Sequence, residues 1–114
     1  MSKLGKAKLL RIFIGEQDRV PGRPLHEAIV RAARESGMAG VTVLRGVESY
    51  GASQKVHTAR ILRLSEDLPL VVEIVDSPEK VQEFLPVLDG LMEAAGGGGL
   101  ATMEEVEVVR YLPR

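Results

Sequence analysis

No cysteine and no tryptophan occur among the 114 residues. The missing thiols exclude disulfides, thiolate metal sites and a cysteine nucleophile, and they agree with a reducing cytosol. Aromatics are scarce, with two Phe and two Tyr in all. Sheet-based RNA recognition needs aromatic platforms on central strands, and Phe13 is the one candidate, so that chemistry is not expected. Charge of one sign is also lacking: 15 Lys and Arg face 16 Asp and Glu, a net charge of −1. Without a basic field, no nucleic-acid partner is expected. The only histidines, His26 and His57, have no second ligand at i+3 or i+4, so no metal is expected. No apolar run approaches the roughly 20 residues of a membrane helix. The opening Met1–Lys8 is charged where a signal peptide needs an apolar core, so a cytoplasmic location without membrane insertion is expected. Ser65-Glu66-Asp67 reads as a turn rather than a nucleophile with its base, and nothing else licenses a reaction. An enzyme is not expected.

What remains is an ordinary globular mix, 45% hydrophobic and 27% charged, of a length suited to one domain. Residues 8–14 are β-branched and aromatic and stop at Gly15, which predicts a strand. Pro24 suits a first helical turn, and Leu25, Ile29, Ala32 and Ala33 recur at helical spacing up to Gly37. A helix over 24–36 follows, then a strand from Val41 toward Gly46. A polar excursion over 47–64 separates that strand from Leu70–Val75, the clearest strand in the chain. Ser77-Pro78 pairs an N-cap hydroxyl with a proline at the first helical position. Val81, Phe84, Leu85, Leu88 and Met92 then form one apolar stripe, with Pro86 inside it expected to kink the helix. Gly96–Gly99 ends that helix, and Val106–Leu112 is expected as the last strand. The order predicts an α+β protein: a ferredoxin-like βαββαβ sandwich, with a four-stranded antiparallel sheet and two helices on one face. One domain over 1–114 is expected, with residues 1–7 as an N-terminal tail.

Alternation divides the strand residues into two sets. Leu10, Ile12, Ile14, Val41, Val43, Leu70, Val72, Ile74, Val106 and Val108 form one. The other, Leu9, Phe13, Leu44, Val71, Val75, Val109 and Tyr111, is as apolar, broken only by Arg11, Glu73 and Glu107. With helices on one face, the second set would meet water, where a half-exposed sheet should be polar. A homo-oligomer with facing sheets is expected, its charges pairing across neighbouring strands. A slipped register, or cover from the C-terminal residues, is the alternative.

Between Glu48 and Glu66 there is no acid, but there are Lys55, His57, Arg60 and Arg63. Such a loop can meet phosphate or an acidic surface, or simply be solvated. Gly96-Gly-Gly-Gly could let backbone N–H groups approach an anion, although helix termination explains it as well. Arg110 and Arg114 could add phosphate-pairing forks.

Gly37-Met-Ala-Gly-Val-Thr-Val resembles the helix-to-strand junction of PII signal-transduction proteins. The excursion 47–64 resembles their T-loop, and the glycine loop resembles their B-loop. Leu9-Leu-Arg-Ile-Phe-Ile-Gly-Glu, Val43-Leu-Arg-Gly-Val, Ser65-Glu-Asp-Leu-Pro-Leu-Val-Val-Glu-Ile-Val-Asp and Phe84-Leu-Pro-Val-Leu-Asp resemble a PII-like branch, domain-of-unknown-function family one-ninety. The resemblance implies a homotrimer, a small anionic effector such as an adenine nucleotide in inter-subunit clefts, and a target protein met through residues 49–63. No other cofactor is implied. Thr42 matches a base-contacting position, Gly51 the end of a Gly-aromatic-Gly turn with Tyr50 as its aromatic, and Arg110 a phosphate-binding arginine. Arg45, Gly46, Gln54, Lys55, Arg60, Gly97, Gly98 and Arg114 complete the expected ligand set. The sequence departs from the family at Ser49 and Ala52, matches Gln54 only with a one-residue shift, and has no lysine in the glycine loop. A structural or adaptor trimer without ligand is the alternative, and a metal-binding trimer of CutA type ranks behind both.

Overall fold

The structure, a computed structural model, describes residues 5–49, 57–58 and 68–112. In chain order the elements are β1 (Gly5–Gly15), β2 (Arg19–Val20), β3 (Arg23–Pro24), α1 (Leu25–Glu35), β4 (Thr42–Arg45), β5 (Glu48–Ser49), β6 (His57–Thr58), β7 (Pro69–Asp76), α2 (Pro78–Ala94) and β8 (Leu100–Val108). β4, β7, β1 and β8 form one antiparallel sheet in that spatial order. Both helices pack on one of its faces, as the ferredoxin-like reading expects.

The core follows from the period-2 alternation of β1 and β7. Leu10, Ile12, Ile14, Leu70, Val72 and Ile74 are buried against Leu25, Ile29 and Ala33 of α1 and Val81, Phe84 and Leu88 of α2. Burying each large side chain contributes about 1.5–3 kcal/mol, so this layer holds the fold together.

Side chains and carbonyls close the helix ends. Pro24 precedes α1 rather than opening its first turn, and the Leu25 N–H donates to the Asp18 carbonyl at 2.8 Å. Gly37 adopts φ +76°, the left-handed geometry that ends a helix at little cost to glycine. Lys80 Nζ reaches across from α2 and donates to the Ser36 carbonyl at 2.7 Å, placing a cation at the C-terminal end of α1. Ser77 caps α2 as expected, its hydroxyl accepting from the Lys80 N–H at 3.3 Å. α2 runs through Pro86 without interruption. Pro86 and Gln82 four residues before it are both exposed, so water can reach the carbonyl that proline leaves unpaired.

Two expectations need correction. The last strand is Leu100–Val108, not Val106–Leu112, because pairing with β1 from Phe13↔Leu100 to Gly5↔Val108 places it. In that register Val106 and Val108 stand opposite Ala7 and Gly5, on the face away from the helices. Glu107, opposite Lys6, stands on the helix side, so it cannot join the charges of the open face. Glu104 takes that place: Arg11 donates from Nε to Glu73 at 3.0 Å and from Nη1 to Glu104 at 2.6 Å. The hydrogen bond to Glu73 is the main cause holding the Arg11 guanidinium above its usual pKa.

Candidate functional site: a cleft beyond the end of β4

β7 is longer than its neighbour. β4 pairs with it only from Leu70 to Glu73, leaving Val75 and Asp76 beyond the ladder. There the segment 39–41 diverges from β7, and the chain after β8 brings Tyr111 alongside. The gap is a cleft of about 360 Å³, lined by Ala39, Gly40, Thr42, Val75, Asp76 and Tyr111 among others.

Asp76 builds the inner wall. It is buried at the end of an apolar strand, and its carboxylate spans two segments. Oδ1 accepts from the Ser77 N–H at 2.7 Å and Oδ2 from the Ala39 N–H at 2.8 Å. Tyr111 is the cleft's aromatic, its hydroxyl 3.5 Å from the Ala39 carbonyl. The charged lining groups are Lys6, Glu73 and Asp76, one cation against two carboxylates. Glu73 is engaged by Arg11 and Asp76 by backbone N–H groups. The cleft as built by one chain therefore suits a neutral, planar group with donors and acceptors better than a phosphate.

Of the expected ligand residues, Thr42 lies in this cleft. Arg45 and Gly46 do not; they stand at the opposite end of β4, about 10 Å along the strand. Arg45 there pairs with Glu16. Gly46 is a close-approach glycine: its N–H donates to the Pro69 carbonyl at 2.7 Å, and a Cβ would lie 2.8 Å from the Pro69 ring. Gly97 and Gly98 follow α2 near that same end, before Leu100 meets Phe13. The Gly97 N–H donates to the Met92 carbonyl at 2.8 Å, which is helix termination. Arg110 is exposed next to Tyr111 but does not line the cleft. Gly51, Gln54, Lys55, Arg60 and Arg114 lie outside the described residues. Within one chain, then, the described members of the expected set divide between two ends of the sheet.

Sequence reasoning missed Lys6, Ala39, Gly40, Asp76 and Tyr111. Ala39 and Gly40 stood in the junction motif, and Asp76 closes the run at 70–75, which already carries one acid, Glu73. Among the described residues no group of three His, Asp or Glu is placed to hold a metal, and no helix is long and apolar enough to cross a membrane.

The family model DUF190, described as Uncharacterized ACR, matches residues 7–108. The chain belongs to the DUF190 family. Its relatives include a UPF0166 protein of Aquifex aeolicus (strain VF5), 38% identical over 104 residues, covering 91% of this chain and 94% of that one. A UPF0166 protein of Methanocaldococcus jannaschii is 32% identical over 105 residues, covering 92% and 94%. Among solved structures, this DUF190 chain is similar to CPII from Thiomonas intermedia K12, a nitrogen regulatory PII-like protein bound to ADP, AMP and bicarbonate. The TM-score is 0.71 at 18% identity, over 95% of this chain and 92% of CPII. It is similar also to a PII-like signaling protein of Thermus thermophilus, with a TM-score of 0.63 at 20% identity, over 95% and 94%. At these identities the likeness fixes the fold. The DUF190 chain has the PII-like form of the ferredoxin-like sandwich.

Proposed function

We propose that this chain is a cytoplasmic PII-like regulatory protein, not an enzyme: a homotrimer that binds an adenine nucleotide at inter-subunit clefts and signals through the excursion 47–64. The observation that carries the reading is the cleft itself. It places Thr42, the residue matching a base-contacting position, beside an aromatic ring and backbone polar groups, with room for a nucleobase. The base occupies this neutral compartment. The phosphates lie outside it, away from Glu73 and Asp76, among cations supplied by a second copy; Arg110, Arg114, Lys55 and Arg60 are the candidates. The separation of Thr42 from Arg45, Gly46 and the glycine loop supports a site completed between chains. CPII, with ADP, AMP and bicarbonate bound to the same fold, makes those three molecules the first to test. Titration calorimetry with each of them is expected to show binding of a nucleotide. Silence with all three defeats the reading.

Gly40 separates the cleft's role from the stability of the fold. Its φ is not positive, and a Cβ there would meet nothing within 4 Å, so nothing among the described residues demands glycine. Gly40→Val is therefore expected to change stability by no more than about 0.5 kcal/mol, as exposed substitutions do. It fills cleft volume, and nucleotide affinity is expected to drop about ten-fold or more by calorimetry, which corresponds to roughly 1.4 kcal/mol.

One observation favours the adaptor alternative. The Gly97 N–H is committed to ending α2, which leaves less of the glycine loop free to cradle phosphate. A target captured equally well by nucleotide-free protein would support that alternative.

A further inference from the structure

We infer that Asp76 is the positioning residue of the cleft: by holding Ala39, it aims the Ala39 carbonyl at the ligand as a hydrogen-bond acceptor and so selects ligands that present an amino group. The inference rests on the nucleotide reading above and deepens it by naming what the cleft discriminates.

The segment between α1 and β4 has no ladder of its own before Thr42, so its course depends on tethers. Two of them come from the junction of β7 and α2. Lys80 Nζ holds the Ser36 carbonyl at 2.7 Å, and Asp76 Oδ2 holds the Ala39 N–H at 2.8 Å. The second is buried: Asp76 is 3% exposed, the one charged residue so enclosed among the described residues. Its other oxygen is fixed by the Ser77 N–H at 2.7 Å, which ties the carboxylate to the capped start of α2. A buried carboxylate receiving charge-assisted bonds from two backbone segments is a stiff link. The tether fixes where Ala39 sits, and its carbonyl, in the next peptide unit, meets the hydroxyl of Tyr111, a fellow lining residue of the cleft.

That carbonyl accepts from the Tyr111 hydroxyl, at 3.5 Å and exposed. A bond that long is weak, and a donor on a bound ligand can displace or share it. An amino group satisfies the carbonyl, whereas an oxo group at the same position sets two acceptors against each other. Sites built to pair a specific hydrogen-bonding group reject analogues lacking it far more strongly than apolar contact can. The expected preference is for a 6-amino purine over a 6-oxo purine.

Asp76→Asn is the direct test, because the amide keeps the shape and one acceptor but turns an NH2 toward either Ala39 or Ser77. Amide hydrogen exchange on the nucleotide-free protein is expected to quicken at Ala39 or Ser77 by about ten-fold or more, while the β1 and β7 amides keep their protection. Titration with ADP and inosine diphosphate is expected to show a clear ADP preference in the wild type, reduced about ten-fold in the variant. Unchanged exchange at both positions overturns the inference, and so does a wild type that binds both nucleotides equally. Affinity for the two falling in parallel in Asp76→Asn, with their ratio intact, shows a merely structural aspartate and overturns it as well. Tyr111→Phe covers the case in which Asp76→Asn does not fold. It leaves the carbonyl in place, so the ADP preference is expected to persist, and its loss transfers the discrimination to the hydroxyl and overturns the inference. If the wild type binds neither nucleotide, the functional reading fails, and the exchange measurement still decides whether Asp76 holds the wall.

Discussion

Phe84→Ala is expected to destabilise the fold by about 3–5 kcal/mol, the usual cost of truncating a fully buried aromatic. Phe84 is 1% exposed at the centre of the α2 face, packed in the cluster that holds Leu10, Ile12, Ile29 and Ile74. With only four aromatics in the chain, Phe84 is the one aromatic of this cluster, and no second ring is there to fill the void. Neighbouring side chains are mostly β-branched or held in strands, so the site collapses poorly and the cavity persists. A domain of this size has about 5–15 kcal/mol of stability in all, so the loss is a large share of it. Urea unfolding is expected to show a midpoint lowered in proportion with little change in slope. Phe84→Leu, which keeps most of the volume, is expected to cost less than about 2 kcal/mol, and a loss equal to alanine's would place the effect outside packing.

The elements that position Phe84 are those the sequence made legible. Ser77-Pro78 announces α2 through local chemistry alone, and the cap is formed as expected. The apolar run at 70–75 has no competing helical period and is a strand extended by one residue at each end. β8 was less legible because its bounds are set by a partner. Leu100–Glu105 has no strong β-forming run, yet pairing with β1 enlists it, while Val109 and Tyr111 lie beyond the last described pair, Gly5↔Val108. The same non-local cause hid the ion pair: Glu104 and Glu107 look alike in sequence, and only the register shows which shares a face with Arg11. At the site, Thr42 came from resemblance, whereas Asp76 and Tyr111 meet Ala39 across sequence separations of 37 and 72 residues, beyond any local pattern.

Phe13→Asp is expected to convert the protein in solution into a 12.4 kDa monomer, because the open face of the sheet is laid out in rows that water does not favour. The registers align Leu44, Val71, Phe13 and Leu100 across all four strands, an unbroken apolar row. Phe13, Leu44 and Leu100 are 38%, 47% and 56% exposed, more than a helix-free face can leave bare without consequence. The next row, Thr42, Glu73, Arg11 and Thr102, is polar, but Arg11 is already paired within the chain. A second copy can therefore cover the face without supplying a cation to every charge. Burying a new, unpaired carboxylate in that contact costs several kcal/mol for each copy, enough to dissociate assemblies held at micromolar concentration. Because Phe13 lies outside the helix-packed core, the variant chain is expected to fold, with the backbone exchange pattern of β1 and β7 preserved. Sedimentation of wild type and variant side by side decides the matter. A wild type that already sediments as a monomer removes self-association, and with it any site completed between chains; a variant that stays assembled moves the contact to another face.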